Sequence, residues 1–267
     1  MGVTCESIIC QGAPNNNTLA LAAVAPTSLT TRSGWGKPKL THAAAWCVND
    51  NVNDVRIMPA GYSDPNGIPI ECTSLYGAVC GFDPEESALA SPVELPENCT
   101  LQVFAVNETA VASQVFVWLM LEYPNGPGNF GEISKTKPVV RRAWEHGAAL
   151  VSLAVADSTP ITDLQPGRTY QLAGVGNAAV NGATAGIVGP AFIGLGVNHS
   201  TGAEFFVPLI NAGGYQVGGG PSFVDFARCG IKSPLIPGGQ PLRTRCIGFT
   251  AEQPQAVLSL VVDKVFA

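Results

Sequence analysis

Charge is what this 267-residue chain has least of. Its 14 Lys and Arg and 20 Asp and Glu make up 13% of the residues, about half of the roughly 25% usual for a soluble domain. Only six residues are lysine, and the densest basic feature is the pair Arg141-Arg142. The electrostatic footprint of direct nucleic-acid binding is therefore missing. No apolar stretch approaches the ~18 residues that a membrane helix needs. The eight cysteines, at positions 5, 10, 47, 72, 80, 99, 229 and 246, include no C-x-x-C pair, and His42, His146 and His199 stand at no metal-ligand spacing from them. Zinc is not expected. Eight thiols are also too sparse for a small disulfide scaffold, so their default role is that of small buried apolar groups. Cys72 and Cys80 can bridge neighbouring strands, which the sequence leaves open.

Catalytic signatures are missing too. There is no Gly-x-Ser-x-Gly elbow, Walker loop or H-E-x-x-H. Glu145 and His146 are sequence neighbours, and on a strand neighbours point to opposite faces, so they make no acid–base dyad there. Asp83, Glu85 and Glu86 offer oxygen ligands for a hard cation, but a solvated loop accounts for them as well. The glycines at 213–214 and 218–220 are followed by no helix signature or Lys-Ser/Thr, so they read as a wide surface loop rather than a phosphate cradle. No catalytic, cofactor-binding or metal site is expected. At the N-terminus, the apolar run 18–25 has no Lys or Arg before it, so a secretory leader is not expected. Glu6 stands where N-myristoylation wants Ser or Thr.

What the chain does have is 30 glycines, 21 prolines and 46% hydrophobic residues. That is ample for a packed core and rich in turn formers. Helical periodicity is nearly absent. The best helical candidate, 138–150, contains Gly147 and can equally enter a strand. Short β-rich runs bounded by Gly, Pro, Asn or Asp recur throughout, the signature of a sandwich or barrel. Strands are expected near 19–24, 45–48, 54–58, 69–72, 75–79, 101–106 and 114–123, and again near 148–155, 168–175, 185–195, 204–210, 223–228, 243–249 and 256–266. Two of them, QVFVWLMLEY (114–123) and AVLSLVVDKV (256–265), are apolar on both faces, which predicts cover on both sides.

These two runs end an internal repeat. Cys80-Gly81 precedes Ser91-Pro92, as Cys229-Gly230 precedes Ser233-Pro234, and each Ser-Pro leads at equal distance to one long apolar strand. The Ser-Pro pairs are 142 residues apart, and Val115 and Val257 keep that spacing. The order of landmarks reads as two similar β units, each with a proline-containing loop, a strand, a turn and a long buried final strand. The Gly-, Pro- and Asn-crowded segment 124–131 is the linker. The expected domains are 1–127, with an N-terminal arm, and 128–267.

Two tandem β units closing on long apolar strands resemble the double jelly-roll major capsid proteins of icosahedral viruses, and at this length the compact ones of membrane-containing bacteriophages. The stretches Ser91 to Tyr123 and Ser233 to Phe266 carry the likeness. The resemblance implies an all-β fold of two tandem jelly-roll sandwiches and a structural, non-enzymatic capsid protein located in the virion. It implies a homotrimer whose six sandwiches form a pseudo-hexagonal capsomer that meets neighbouring capsomers. Other capsid proteins or an internal viral membrane are the further partners it allows, with no direct nucleic-acid contact. Residues 1–31 carry one charge, Glu6, unlike the basic arms of capsid proteins that touch RNA. They are expected to form a flexible or subunit-bridging arm around Asn15-Asn16-Asn17. The residues expected in the cores or the domain interface are Phe116, Trp118, Leu119, Met120, Leu258, Leu260 and Val262.

The alternative is a β-sandwich carbohydrate-binding or adhesive protein, using Trp35 or aromatics in the Gly-rich loops. Sequons begin at Asn16, Asn98, Asn107 and Asn198; without a leader they are read as composition rather than glycan sites. Charge is divided unevenly: residues 1–128 hold twelve acids against four bases, and 129–267 hold eight against ten. This asymmetry can orient subunits head to tail, or merely reflect solvated faces.

Overall fold

A computed structural model describes residues 2–14, 18–24, 28–47, 52–61, 70–71, 75–76, 88–126, 130–131, 133–134, 136–137, 139–145, 155–157, 164–181, 191–196, 205–209, 223–228, 230, 232–239, 243–248 and 253–262. Every regular element among them is a strand. The chain forms two compact units, one of Cys5–Gly126 and one of Pro127–Ala267 together with Met1–Thr4. In chain order the first ten strands are β1 (Gly2–Gly12), β2 (Leu19–Leu21), β3 (Ala23–Val24), β4 (Lys39–Cys47), β5 (Val52–Pro59), β6 (Ile70–Glu71), β7 (Leu75–Tyr76), β8 (Ala88–Glu94), β9 (Leu101–Asn107) and β10 (Ser113–Tyr123). The next ten are β11 (Phe130–Gly131), β12 (Val139–Glu145), β13 (Val155–Asp157), β14 (Thr169–Asn181), β15 (Ala191–Gly196), β16 (Phe205–Leu209), β17 (Phe223–Asp225), β18 (Ser233–Pro237), β19 (Arg243–Gly248) and β20 (Gln253–Val262).

The strand order identifies the architecture. In the first unit one sheet runs β1-β10-β4, and β8 lies against the far edge of β4; the other sheet runs β2-β9-β5-β6. Take β1, β2, β4, β5, β6, β8, β9 and β10 as strands one to eight. The sheets then read one-eight-three-six and two-seven-four-five, the wrapped double Greek key of a jelly roll. The second unit repeats it. One sheet runs β12-β20-β14-β18 and the other β13-β19-β15-β16, the same two orders when its own principal strands are counted from one to eight. The fold is all-β, a double jelly roll. The short strands β3, β7, β11 and β17 are additions that pair with β1, β4, β18 and β14.

Period-two patterning explains the core of the first unit. On β9, Leu101, Val103, Ala105 and Asn107 point inward and are buried, while Gln102, Phe104 and Val106 are half-buried on the other face. Opposite them on β5, Val55 and Ile57 are inward and buried. They meet Val115, Val117, Leu119, Leu121 and Tyr123 of β10 and Leu40, Ala43 and Ala45 of β4 in one cluster. Burying each such Leu, Ile or Val side chain contributes roughly 1.5–3 kcal/mol.

Two sequence expectations are corrected. Residues 2–12, expected as part of an arm, form the sheet strand β1, with Val3, Ile8 and Cys10 buried; Asn15-Asn16-Asn17 lie outside the described residues. Both Ser-Pro pairs sit in strands, β8 and β18, rather than in loops. For β8, which pairs with β4 alone, the physical reason is that proline lacks only a backbone N–H, which an edge strand does not need on its open side. The segment 138–150, left open between helix and strand by the sequence, contributes the strand β12. Cys72, Cys80, His146 and the glycines at 213–214 and 218–220 fall outside the described residues.

Two glycines before β4 share a backbone geometry but not a setting. Gly34 and Gly36 have φ of +77° and +79°, a left-handed conformation that costs a residue with a side chain about 1–2 kcal/mol. A Cβ on Gly34 would meet nothing within 4 Å, whereas on Gly36 it would lie 2.6 Å from Pro124 Cγ. Gly34→Ala is expected to lower unfolding stability by about 1 kcal/mol, and Gly36→Ala by clearly more, as measured by urea denaturation.

Candidate functional site

The expected site residues fall on the last strand of each sandwich. In the first unit β10 lies between β1 and β4. Its register with β4 sets Val117 opposite Ala45, Trp118 opposite Ala44, Leu119 opposite Ala43 and Met120 opposite His42, with an irregularity after Met120. Leu119 therefore belongs to the core face, and Trp118 and Met120 to the other face. Both faces are covered: Trp118, Leu119, Met120 and Ala44 have no exposed surface, and His42 is 6% exposed. The His42 imidazole stands 6.1 Å from the Trp118 ring at 63°, and its Nδ1 lies 3.0 Å from the Thr41 hydroxyl. Phe116 lies on β10 opposite Trp46, and the positions of its side-chain atoms are outside the description.

The second unit repeats the arrangement. β20 lies between β12 and β14. Leu260 faces both Val140 and Leu172, and Val262 faces Tyr170. Leu260, Val261 and Val262 are buried in succession, as are Tyr170, Gln171, Leu172 and Ala173 of β14, so both sheet faces are covered here as well. Leu258 lies opposite Arg142 and Val175.

The C-terminal end of β10 is tied to the loop before β4. Tyr123 meets Trp35 edge-on, with ring centroids 5.3 Å apart, and its hydroxyl accepts from the Arg32 backbone N–H at 3.2 Å. The Arg32 guanidinium lies 5.9 Å from the centre of the Trp35 ring, a cation–π distance. Asn125 N–H donates to the Trp35 carbonyl at 2.9 Å, and Gly36 N–H donates to the Glu97 carboxylate. Thr31 donates its hydroxyl to the Pro96 carbonyl at 2.6 Å and accepts from Cys99 N–H at 2.9 Å, holding the turn in which Asn98 takes a φ of +50°. Trp35 is thus engaged by Arg32 and Tyr123 and packed against the core. It is not the free aromatic platform that the carbohydrate alternative calls for.

Asn107 is a structural residue too. Fully buried, it donates from Nδ2 to the Val111 carbonyl at 2.8 Å and accepts at Oδ1 from Thr109 N–H and Thr109 Oγ1, both at 3.1 Å. This turn motif uses the same Asn and Thr that make the sequon. Asn98 is exposed, while Asn16 and Asn198 lie outside the described residues. So do Asp83, Glu85 and Glu86. Among the described residues, no three His, Cys, Asp or Glu side chains gather as a metal site.

Sequence reading missed one surface. Leu19 and Leu21 of β2 stand opposite Val106 and Phe104 of β9, which gives the outer face of that sheet an apolar strip. The run 101–106 (LQVFAV) places Phe104 and Val106 on the outer face of β9, but only the pairing with β2 makes them part of a strip.

No protein-family model matches the chain, and no curated protein sequence matches it. Among solved structures it is similar to the major capsid protein P2 from bacteriophage PM2, at 12% identity over 98% of both chains with a TM-score of 0.29. It is also similar to the STIV major capsid protein, at 10% identity over 98% of this chain and 97% of that one with a TM-score of 0.32. A cupin 2 conserved barrel domain protein from Leptotrichia buccalis follows at 12% identity and a TM-score of 0.16, covering 97% of this chain and 89% of that one. At TM-scores this low, the fold assignment rests on the strand order above.

Cys10 gives a chemical probe of this region. Its thiol is buried beside β10 and donates to the Val115 carbonyl at 3.6 Å; burial pushes it up to about 12 from an ordinary 9.0. The folded state therefore keeps its proton where the unfolded chain loses it. That contribution to stability is complete below about pH 9 and is lost as pH rises from about 9 towards 12. Native protein at pH 8 is expected to leave Cys10 unlabelled by iodoacetamide, with labelling only in urea. Trp118→Ala is expected to cost about 3–5 kcal/mol of stability, read from the denaturation midpoint.

Proposed function

We propose that this chain is the structural major capsid protein of a virus and acts by self-assembly rather than by catalysis. One observation carries the reading: a single chain contains two sandwiches with the same eight-strand order, the first unit from β1 to β10 and the second from β12 to β20. Two jelly rolls per chain give six per trimer, so a threefold assembly presents a nearly sixfold outline that tiles a shell. The low charge content supports it, since 13% charged residues suits a chain whose surface is largely covered by neighbours better than it suits an isolated one.

In this reading the chain forms homotrimeric capsomers, and these close into an icosahedral shell; the protein resides in the virion. Trp118, Met120, Leu260 and Val262 stiffen the two sandwiches as building blocks, because the strands that carry them are covered on both faces. The missing basic run leaves the genome to be held by something other than this chain, and an internal membrane is the partner suited to that task.

The test is the solution mass. Light scattering and native mass spectrometry across micromolar concentrations should give three times the 27.6 kDa chain mass, or larger shell fragments. A strict monomer throughout that range overturns the reading.

A further inference from the structure

We infer that the outer face of the β2–β9 strand pair seats a neighbouring copy of this chain, and that the neighbour docks through its 128–267 half. The inference rests on the self-assembly reading and adds a location and a polarity to it.

The face is built by register. Leu19 pairs with Val106, and Leu21 with Phe104; residues opposite one another share a face. The other face of β9 is the core one, where Leu101, Val103 and Ala105 are buried. Leu19 is 39% exposed and Leu21 50%, two of the four large apolar residues exposed among those described; the others are Val111 and Val139. Beside this strip, β5 sets Asp54 opposite Val106 and Arg56 opposite Phe104. Their side chains pair at 2.8 Å, so these two charges beside the strip neutralise each other.

An antiparallel sheet with one face on a core normally turns a polar face to water. Here the second face carries leucine, phenylalanine and valine. β2 is also the terminal strand of its sheet. Protein sheets usually guard such edges with charge, yet residues 18–24 (TLALAAV) carry none. An unguarded apolar edge of this kind is a surface made to be covered.

Charge selects the occupant. Residues 1–128 carry a net −8, and 129–267 a net +2. Two copies meeting through their first halves would set −8 against −8. A first half meeting a neighbour's second half sets opposite signs together, which favours the encounter. Such a contact is head-to-tail, and head-to-tail contacts close into rings when the rotation allows. A trimer is one such ring.

The test replaces Leu19→Glu and Leu21→Glu together, with Val111→Glu in the turn after β9 as the exposed control, and checks each fold by circular dichroism and thermal unfolding. The folded double variant should assemble at least tenfold more weakly by light scattering, while Val111→Glu assembles like the unmodified chain. If the folded double variant assembles normally, the seat is overturned and self-assembly stands. If the unmodified chain is itself monomeric, both fail. The polarity is read by placing a photo-crosslinker at position 21 in an equal mixture of 14N and 15N copies. Mixed-isotope adducts to peptides from 128–267 support the proposal, and adducts to peptides from 5–126, or none in an assembled sample, overturn it.

Discussion

The structure depends on where the last strand of each sandwich must go. In the strand order of both units it enters between the first and third strands, so β10 lies between β1 and β4, and β20 between β12 and β14. A strand in that position has partners along both edges and a core on one face. Here its second face is covered as well, since Val117, Trp118, Leu119, Met120 and Leu121 follow one another with no exposed surface. Polar alternation has no place in such a segment, because an uncompensated buried polar group costs free energy on either face. The central pairing is also distant in sequence. β1 and β10 are separated by most of the first half, so each sandwich closes only after a long loop has been ordered, a topology associated with slow folding.

The scarcity of charge follows from the same geometry. With both faces of a sheet buried, the positions left for charged side chains are edges, corners and loops. The corner at the end of β10 uses its few for specific ties: Arg32 against Trp35, and Glu97 under the Gly36 amide. The thiol of Cys10 and the amide of Asn107 fill buried positions as neutral groups, each hydrogen-bonded to a backbone carbonyl. Few charges and many turn formers are thus two aspects of one design, central strands covered on both faces and joined at tight corners.

Much of this was legible in the sequence, and the failures have physical causes. Short β-rich runs bounded by turn formers placed β5, β9, β10 and β14 within a few residues at their starts. The all-apolar runs marked the two central strands, and with them Trp118, Leu119, Met120, Leu260 and Val262. β1 was missed because GVTCESIICQG mixes glycine and glutamate into its apolar positions and leads into a polar Asn run. The Ser-Pro segments were read as loops because proline marks turns more often than strands, although an edge strand such as β8, which pairs with β4 alone, tolerates it. The Leu19, Leu21, Phe104 and Val106 strip was illegible for a different reason. It exists only through the register of two strands some eighty residues apart, and no local pattern encodes register across that distance.

Spacing within the repeat separates what the fold constrains from what it leaves free. The interval of 142 residues links Ser91 to Ser233, Leu101 to Arg243 and Val115 to Val257, and therefore covers the last three principal strands of each unit. It fails earlier, where β4 begins at Lys39 and β14 at Thr169, although both take the third place in the same order. Lengthening a loop is thermodynamically cheap, at about 0.6 kcal/mol for each doubling, so connections among the early strands can drift without disturbing the pairing. The final three strands have less freedom. One lies on the edge of the first sheet, the next in the middle of the second, and the last in the middle of the first, so the chain crosses between sheets twice within a short span. Their connections must match the thickness of the sandwich, which holds the spacing while sequence identity is lost. That is why these three landmarks could be aligned between halves that otherwise share little.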